Sequence, residues 1–152
     1  MAGVDITLTF EDGELRHVVS EARARLADFS PAMDEIGSYL EDRTLELFET
    51  GEAPDGTPWL PSQRALDESG KTLIDRGHLL ASINYETTPD AVTVGSNVIY
   101  AAIHQHGGKT GRGLAVDMPA RPFLGVNDED LQEIELIIAD YVSELGAGGD
   151  AR

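Results

Sequence analysis

The amino-terminal third of the chain shows one alternating pattern followed by two helical ones. Apolar side chains alternate with polar ones at Val4, Ile6, Leu8 and Phe10. This alternation predicts a half-buried strand over residues 4–10. Apolar positions then recur with helical spacing over residues 14–28 and 30–50, which predicts two amphipathic helices. Pro31 suits the first turn of the second helix, and Gly51 suits its end.

Two stretches of the chain lack apolar periodicity and are rich in glycine or proline. Residues 52–72 hold three prolines within ten positions, around the only tryptophan, Trp59. Residues 107–117 are rich in glycine. We predict two long flexible loops here, the first interrupted by a short helix over residues 62–69. Long loops are usually functional or disordered, so we expect both to be mobile in the free subunit.

The remaining segments predict short elements and one long closing helix. Alternation predicts a hairpin of strands over residues 84–88 and 91–94, and the apolar positions of residues 98–106 fit a helix. A further strand is predicted over residues 114–118. Residues 128–146 carry the most regular helical pattern, with acidic side chains in the first turn, where they suit the helix dipole.

Together these elements predict an α+β fold in a single small domain over residues 1–146. In this fold an antiparallel sheet packs against long amphipathic helices. Residues 147–152 follow the last apolar position, and we expect them to form a disordered tail.

Composition narrows the classes of protein to which the chain can belong. It has 152 residues, no cysteine, and 28 acidic against 11 basic side chains, a formal net charge of −17. Without cysteine, disulfides and thiolate-ligated metals are excluded. An acidic surface repels phosphate, which argues against non-specific binding to nucleic acid or to anionic membranes. No apolar run is long enough to span a membrane and no signal peptide is visible, so a cytosolic protein is expected.

The short motifs that could indicate nucleotide binding or catalysis lack the spacing that these functions require. Two Gly-Lys-Thr triplets, at 70–72 and 108–110, lack the upstream glycine of a phosphate-binding loop. His104 and His106 could ligate a metal, but residues two apart on a helix do not share a face, and no third ligand is evident. The sequence therefore predicts no catalytic residue, no metal site and no cofactor. A small metal-dependent enzyme that uses both histidines is the alternative.

Four motifs remain after these exclusions. They are Asp-Gly-Thr-Pro-Trp (55–59), Gly-His-Leu-Leu-Ala-Ser-Ile (77–83), Val-Gly-Ser-Asn-Val-Ile-Tyr-Ala-Ala-Ile-His-Gln-His-Gly (94–107) and Pro-Ala-Arg-Pro-Phe-Leu-Gly (119–125). In order and spacing they resemble the virion morphogenesis, or tail completion, family of tailed phages, including Mu-like and P2-like phages. The resemblance covers about residues 30–146. His106 stands where the family more often has an aromatic residue.

The resemblance implies a structural role in the virion. Such proteins act at the head-proximal end of the tail, in tail completion and head-to-tail joining, and related neck proteins form rings that are commonly hexamers. The implied partners are further copies of the chain, the tail tube protein and the neck or head–tail connector proteins. DNA would pass through the lumen without specific binding. A head-side neck connector is the alternative. In either role the protein would reside in the virion after assembly in the host cytoplasm.

Five residues are candidates for contacts with other subunits or partners: Trp59, His104, His106, Arg121 and Phe123. Tryptophan, arginine and phenylalanine are enriched in interface cores. In an extended segment held by prolines, Arg121 and Phe123 would point to one side, and Arg121 could pair with a carboxylate of an acidic neighbour. Two alternatives stay open. Trp59 and Phe123 could pack in the core of their own subunit, and Arg121 could pair within its own chain.

Overall fold

The computed structural model describes residues 3–9 and 29–150 of the chain. The helices in these ranges are α1 (Ser30–Thr50), α2 (Gln63–Glu68), α3 (His78–Ala81), α4 (Ala101–His106) and α5 (Asp128–Asp150). The strands are β1 (Val4–Thr9), β2 (Asn84–Thr88), β3 (Ala91–Ser96), β4 (Gly108–Thr110) and β5 (Val116–Met118). Among the described helices, none is both long and apolar enough to cross a membrane. The protein is a small domain of mixed α+β structure, and the predicted fold class is confirmed.

The main sheet has three antiparallel strands in the order β1-β3-β2. β2 and β3 form the predicted hairpin, in which Thr88 lies opposite Ala91 beside the turn. β1 pairs with the other edge of β3, although it is far away in the sequence. α1 packs across β2 and β3, and the side chains of Val92 and Val94 on β3 are buried.

α1 approaches the sheet closely at Gly37. A Cβ atom at this position would collide with the ring of Tyr85 on β2, so glycine permits this short distance between helix and strand. The Tyr85 hydroxyl donates a hydrogen bond to Asp34 Oδ1 on the same helix, at 2.9 Å. These contacts fix the position of α1 over the sheet.

The hydrophobic core joins α1, α5 and the sheet. Its largest fully buried apolar side chains are Phe29, Met33, Ile36, Leu47, Phe48, Val92, Val94, Phe123, Ile134 and Ile138. Phe29 meets Tyr141 of α5 edge to face, with 5.4 Å between the ring centroids. Aromatic pairs of this geometry add to the stabilisation from apolar burial, so the two long helices are held together firmly.

Most predicted elements are confirmed, with small shifts at their ends. β1, α1 with its left-handed Gly51 cap, α2, the hairpin and the closing helix form where the sequence predicts them. α4 begins at Ala101 rather than at Val98, because the Ala101 N–H donates to Val98 O across a turn that precedes the helix. The helix predicted over residues 14–28, and Phe10, lie outside the described residues.

Two predictions about irregular segments need correction. Residues 107–117 are not a loop throughout, since β4 and β5 pair there as an antiparallel hairpin around a 3₁₀ turn. β4 has only three residues, too few for alternation to reveal it, whereas β5 lies within the strand predicted over residues 114–118 and begins at Val116. α5 continues to Asp150, beyond its predicted end at Gly146. Each glycine inside a helix costs about 1 kcal/mol, so Gly146, Gly148 and Gly149 disfavour the helix without forbidding it. The mobility of the two loops and the boundary between a domain over 1–146 and a tail over 147–152 stay predictions.

Candidate functional site

The side chain of Gln105 on α4 holds the segment 119–125 in place. Gln105 Oε1 accepts hydrogen bonds from the backbone N–H groups of Phe123 and Leu124, both at 3.0 Å. Its Nε2 group donates to Leu124 O at 2.9 Å. The segment belongs to no sheet, so this amide supplies the pairing that a neighbouring strand would otherwise give its backbone. Two of the four motifs are joined in this way.

Gly107 lets the end of α4 meet the same segment. Its φ is +71°, and a Cβ atom there would lie 2.7 Å from Ala120 N. Both the positive φ and the close approach favour glycine. Beside this point the Arg121 N–H donates to His104 O at 2.7 Å. The His-Gln-x-Gly and Pro-Ala-Arg-Pro motifs therefore contact each other backbone to backbone.

Trp59 connects a third motif to this cluster from inside the subunit. Its side chain is only 6% exposed, and its Nε1–H donates to Pro122 O at 2.7 Å. Its ring meets Phe48 of α1 edge to face, and Phe123 packs against the same Phe48 ring with 5.3 Å between centroids. Phe123 is fully buried. For Trp59 and Phe123 the structure therefore supports the alternative of core packing, because neither side chain is free to face a partner.

Arg121 is also inside the subunit, with 5% of its surface exposed. Its Nε–H donates to Leu60 O at 2.6 Å, and its Nη1 group lies 3.6 Å from the sulfur of Met118. Burial lowers the pKa of Arg121. Its partners thus belong to its own chain, as the second alternative states. However, none of the described residues places a carboxylate within 4.0 Å of the guanidinium.

His104 and His106 have different surroundings on the short helix α4. His106 is exposed, whereas His104 is half-buried and its Nδ1 atom is enclosed without a hydrogen-bond partner. Burial, and after it the charge of Arg121, lowers the pKa of His104, which favours the neutral imidazole. Within residues 3–9 and 29–150, no three His, Asp or Glu side chains come together as a metal-binding group.

A cleft of about 610 Å³ opens beside His104 and Arg121. We call it the arginine cleft, because Arg64, Arg76 and Arg121 line it together with Tyr100, His104 and Val116. Two aspartates, Asp75 and Asp117, also lie along it. Three arginines and two aspartates give the cleft a formal charge of +1, whereas the whole chain carries −17. The arginine cleft is therefore a positive recess on an acidic protein.

Asp130 lies at the start of α5 and also makes hydrogen bonds to α1. It is 1% exposed and accepts hydrogen bonds from the Tyr39 hydroxyl at 2.8 Å and from Arg43 Nε at 3.2 Å, both on α1. Asn127 and Asp130 also accept from each other's backbone N–H groups, which makes a capping box. Burial, followed by the hydrogen bond to Asp130, raises the pKa of Tyr39 to about 12. Asp130 thus fastens the closing helix to α1.

A sequence model of the phage virion morphogenesis family matches residues 10–143. The chain belongs to this family. Mu-like prophage FluMu G protein 2 of Haemophilus influenzae is 38% identical over 131 residues, which cover 84% of this chain and 91% of the relative. Tail completion protein S of Escherichia phage P2 is 33% identical over 102 residues, 59% of this chain and 68% of that protein. Protein G of Escherichia phage Mu, whose name refers to capsid assembly, is 31% identical over 135 residues, 74% and 86% of the two chains. No solved structure shows significant similarity.

Membership of the family gives the protein a structural and assembly role in phage virion morphogenesis. It also confirms the resemblance inferred from the four motifs. The structure shows that these motifs build the subunit itself. Segments 55–59, 94–107 and 119–125 meet around Gln105 and Phe48, and segment 77–83 joins them where Ser82 Oγ lies 2.6 Å from Ser96 Oγ.

Gln105 was not among the candidate residues, although the sequence contained a signal for it. It stands inside the motif 94–107, and its amide can both donate and accept. Such a side chain can pair with a backbone segment that belongs to no sheet, as it does with residues 119–125 in the structure.

Proposed function

We propose that this protein completes the phage tail and binds, as a ring of copies, at the end of the tail that faces the head. The observation that carries the proposal is the 33% identity to tail completion protein S over 68% of that protein. A ring of six copies, and contacts with the tail tube protein and with neck or connector proteins, belong to the same proposal. The protein would act in the virion, after assembly in the host cytoplasm.

The exposed apolar side chains support contacts with other proteins. Leu60, Ile99, Tyr100, Leu114 and Val116 are all exposed. Tyr100 and Val116 line the arginine cleft. Ile99 and Leu114 stand within two positions of these residues in the sequence, and the backbone oxygen of Leu60 accepts a hydrogen bond from Arg121. Single exposed apolar residues are ordinary, but a group around one recess is typical of a surface that becomes covered on assembly.

The net charge supports a role beside passing DNA. A chain with a formal charge of −17 repels phosphate, and a ring built from several copies multiplies this repulsion. DNA would therefore pass through the lumen without adhering to it. We propose no specific contact with nucleic acid and no catalysis by this chain.

A second candidate function is a connector on the head side of the neck. It is favoured by the 31% identity to protein G of phage Mu, whose name refers to capsid assembly. Both functions need a subunit that binds its own copies and the proteins above and below. They differ in the particle to which the protein binds first.

The two functions are separated by binding to isolated particles. Heads and tails are purified from cells infected with phage that lacks this gene, and each is mixed with protein carrying a gold-labelled tag. Tail completion predicts label at one end of the tails, bare heads, and recovery of infectious particles when heads are then added. Label on the head vertex would establish the connector instead, and label on neither particle would contradict both functions.

A further inference from the structure

We infer that the arginine cleft binds a carboxylate carried by a second copy of this chain. The inference rests on the ring of copies proposed above and names the surface through which the copies meet. It starts from Arg121, whose charge is buried in the subunit but is not neutralised there.

The surroundings of Arg121 are incomplete for a buried cation. A buried charge is normally paired, because removing it from water is costly unless an opposite charge replaces the lost solvation. The described residues give Arg121 a carbonyl oxygen and a thioether sulfur as partners, but no carboxylate within 4.0 Å. A guanidinium has five N–H donors, and its fork matches the two oxygens of a carboxylate. An incoming carboxylate would complete the site.

The rest of the cleft has the composition of an interface centre. Tyr100 and Val116 offer exposed apolar surface along it, and Arg76 is an exposed arginine without an ion-pair partner among the described residues. Arg64 differs, because it already pairs with Glu68 and Asp75. Aromatic residues and arginines anchor interfaces most often where the surrounding contacts exclude water from them. The geometry therefore suits a protein segment that bears an acidic side chain.

Charge complementarity identifies the occupant as another copy. The chain has 28 acidic residues, so a second subunit offers an abundant source of carboxylates. One such surface is a groove of about 590 Å³ along α1, whose acidic lining residues are Glu41, Asp42, Glu46 and Glu49. Glu46 already pairs with Arg43 and Glu49 with Lys71, so Glu41 and Asp42 are the carboxylates of this groove without an ion-pair partner among the described residues. The cleft and the groove lie side by side, since Gly77 lines both, but they are otherwise built from different residues. A contact between the cleft of one copy and the groove of the next is therefore a head-to-tail contact. Contacts of this type close into rings when the rotation between subunits allows it.

The test is photo-crosslinking in assembled particles. The protein carries p-benzoylphenylalanine in place of Tyr100, an exposed aromatic residue that lines the cleft. Normal and ¹⁵N-labelled copies are produced in separate cultures, mixed, and assembled onto particles purified from cells infected with phage that lacks this gene, so a crosslink between two copies gives peptide pairs of mixed isotope content. We expect mixed pairs that join the cleft to an acidic peptide of the same chain. Crosslinks only to another protein, only within one copy, or none in particles that contain the protein, would overturn the inference.

Substitutions add a quantitative arm. Arg121→Gln should lower the yield of mixed pairs at least tenfold, because loss of one partner in a desolvated charge pair weakens association by about 30-fold or more. Arg76→Glu, at an exposed position, should do the same and decides the matter if Arg121→Gln does not fold. Arg112→Gln and Arg112→Glu are the matched controls, since Arg112 is exposed but does not line the cleft. Equal crosslinking in folded Arg76→Glu and in Arg112→Glu would contradict the inference.

The outcomes distinguish this inference from the proposed function. If the gold-labelled protein binds tails but no mixed crosslinks form at the cleft, tail completion stands and the cleft assignment falls. If mixed crosslinks form in protein that binds only heads, the cleft assignment stands and tail completion falls.

Discussion

Replacing Gln105 by alanine should destabilise the subunit through two backbone amides. The N–H groups of Phe123 and Leu124 both donate to Gln105 Oε1, and both residues are buried. Leaving a buried donor without an acceptor costs about 1–3 kcal/mol. Gln105 is itself half-buried, so water can reach part of the vacated space, and the lower half of this range applies to each amide. We therefore expect a loss of about 2–4 kcal/mol in the free energy of unfolding.

Urea denaturation followed by tryptophan fluorescence is the assay for this substitution. Trp59 is the only tryptophan and donates to Pro122 O in the same cluster, so its emission reports on the segment that Gln105 holds. For a domain of this size, about 2–4 kcal/mol corresponds to a fall in Tm of about 5–15 °C. Gln63→Ala is the control, since exposed Gln63 bonds only to the side chain of Asp67 and should change stability by less than about 0.5 kcal/mol. The reasoning is refuted if Gln105→Ala is as stable as Gln63→Ala.

Three further predictions concern other contacts of the described residues. Asp130→Ala should cost about 2–4 kcal/mol in urea denaturation, because it removes the acceptor of two side chains on α1 and leaves the charge of Arg43 partly unpaired. Gly107→Ala should cost at least about 2 kcal/mol through strain and backbone collision, whereas Gly51→Ala, with a similar φ but open space around it, should cost about 1–2 kcal/mol. The pKa of His104 is lower in the folded protein than in the unfolded chain, so the unfolded chain binds a proton at this imidazole more readily. Stability should therefore decline as pH falls below about 6.5, and the fall in Tm should be smaller in His104→Gln.

Each of these predictions can fail on its own measurement. An Asp130→Ala protein as stable as the parent would show that the helix junction does not depend on this carboxylate. Equal losses for the two glycine substitutions would mean that the contact with Ala120 imposes no steric limit. For the histidine, the comparison is made with His106→Gln at pH 7.5 and 5.5. If both variants follow the parent protein over this interval, the enclosed environment of His104 does not control its protonation.

The sequence predicts most of this fold because the long elements have strong periodic patterns. α1, α5 and the β2–β3 hairpin each repeat apolar positions often enough to identify both the element and its buried face. β5 lies inside the strand predicted over residues 114–118, but β4 and the pairing of the two strands are not predicted, because three residues hold too little alternation. The end of α5 differs from the prediction because glycine disfavours a helix without forbidding it, and α5 continues through Gly146, Gly148 and Gly149.

The candidate site was predictable only in part. The motifs identified the correct segments, but composition alone could not decide whether Trp59 and Phe123 face a partner or the core. That choice depends on Phe48, which lies far away in the sequence and provides the surface on which both rings pack. The surroundings of Arg121 could not be predicted from the sequence either. Its burial followed from tertiary packing, and its missing counter-ion became visible only once its surroundings were known.

We propose that copies of this chain form a ring at the head-proximal end of the tail. A cryo-electron microscopy reconstruction of the neck of intact virions, into which this fold is fitted, tests the proposal. We expect a closed ring of the α+β subunit on the tail side of the head–tail junction, with the arginine cleft of each copy against an acidic surface of its neighbour. A neck without this fold, or with the fold seated as separate copies on the head vertex, would contradict it.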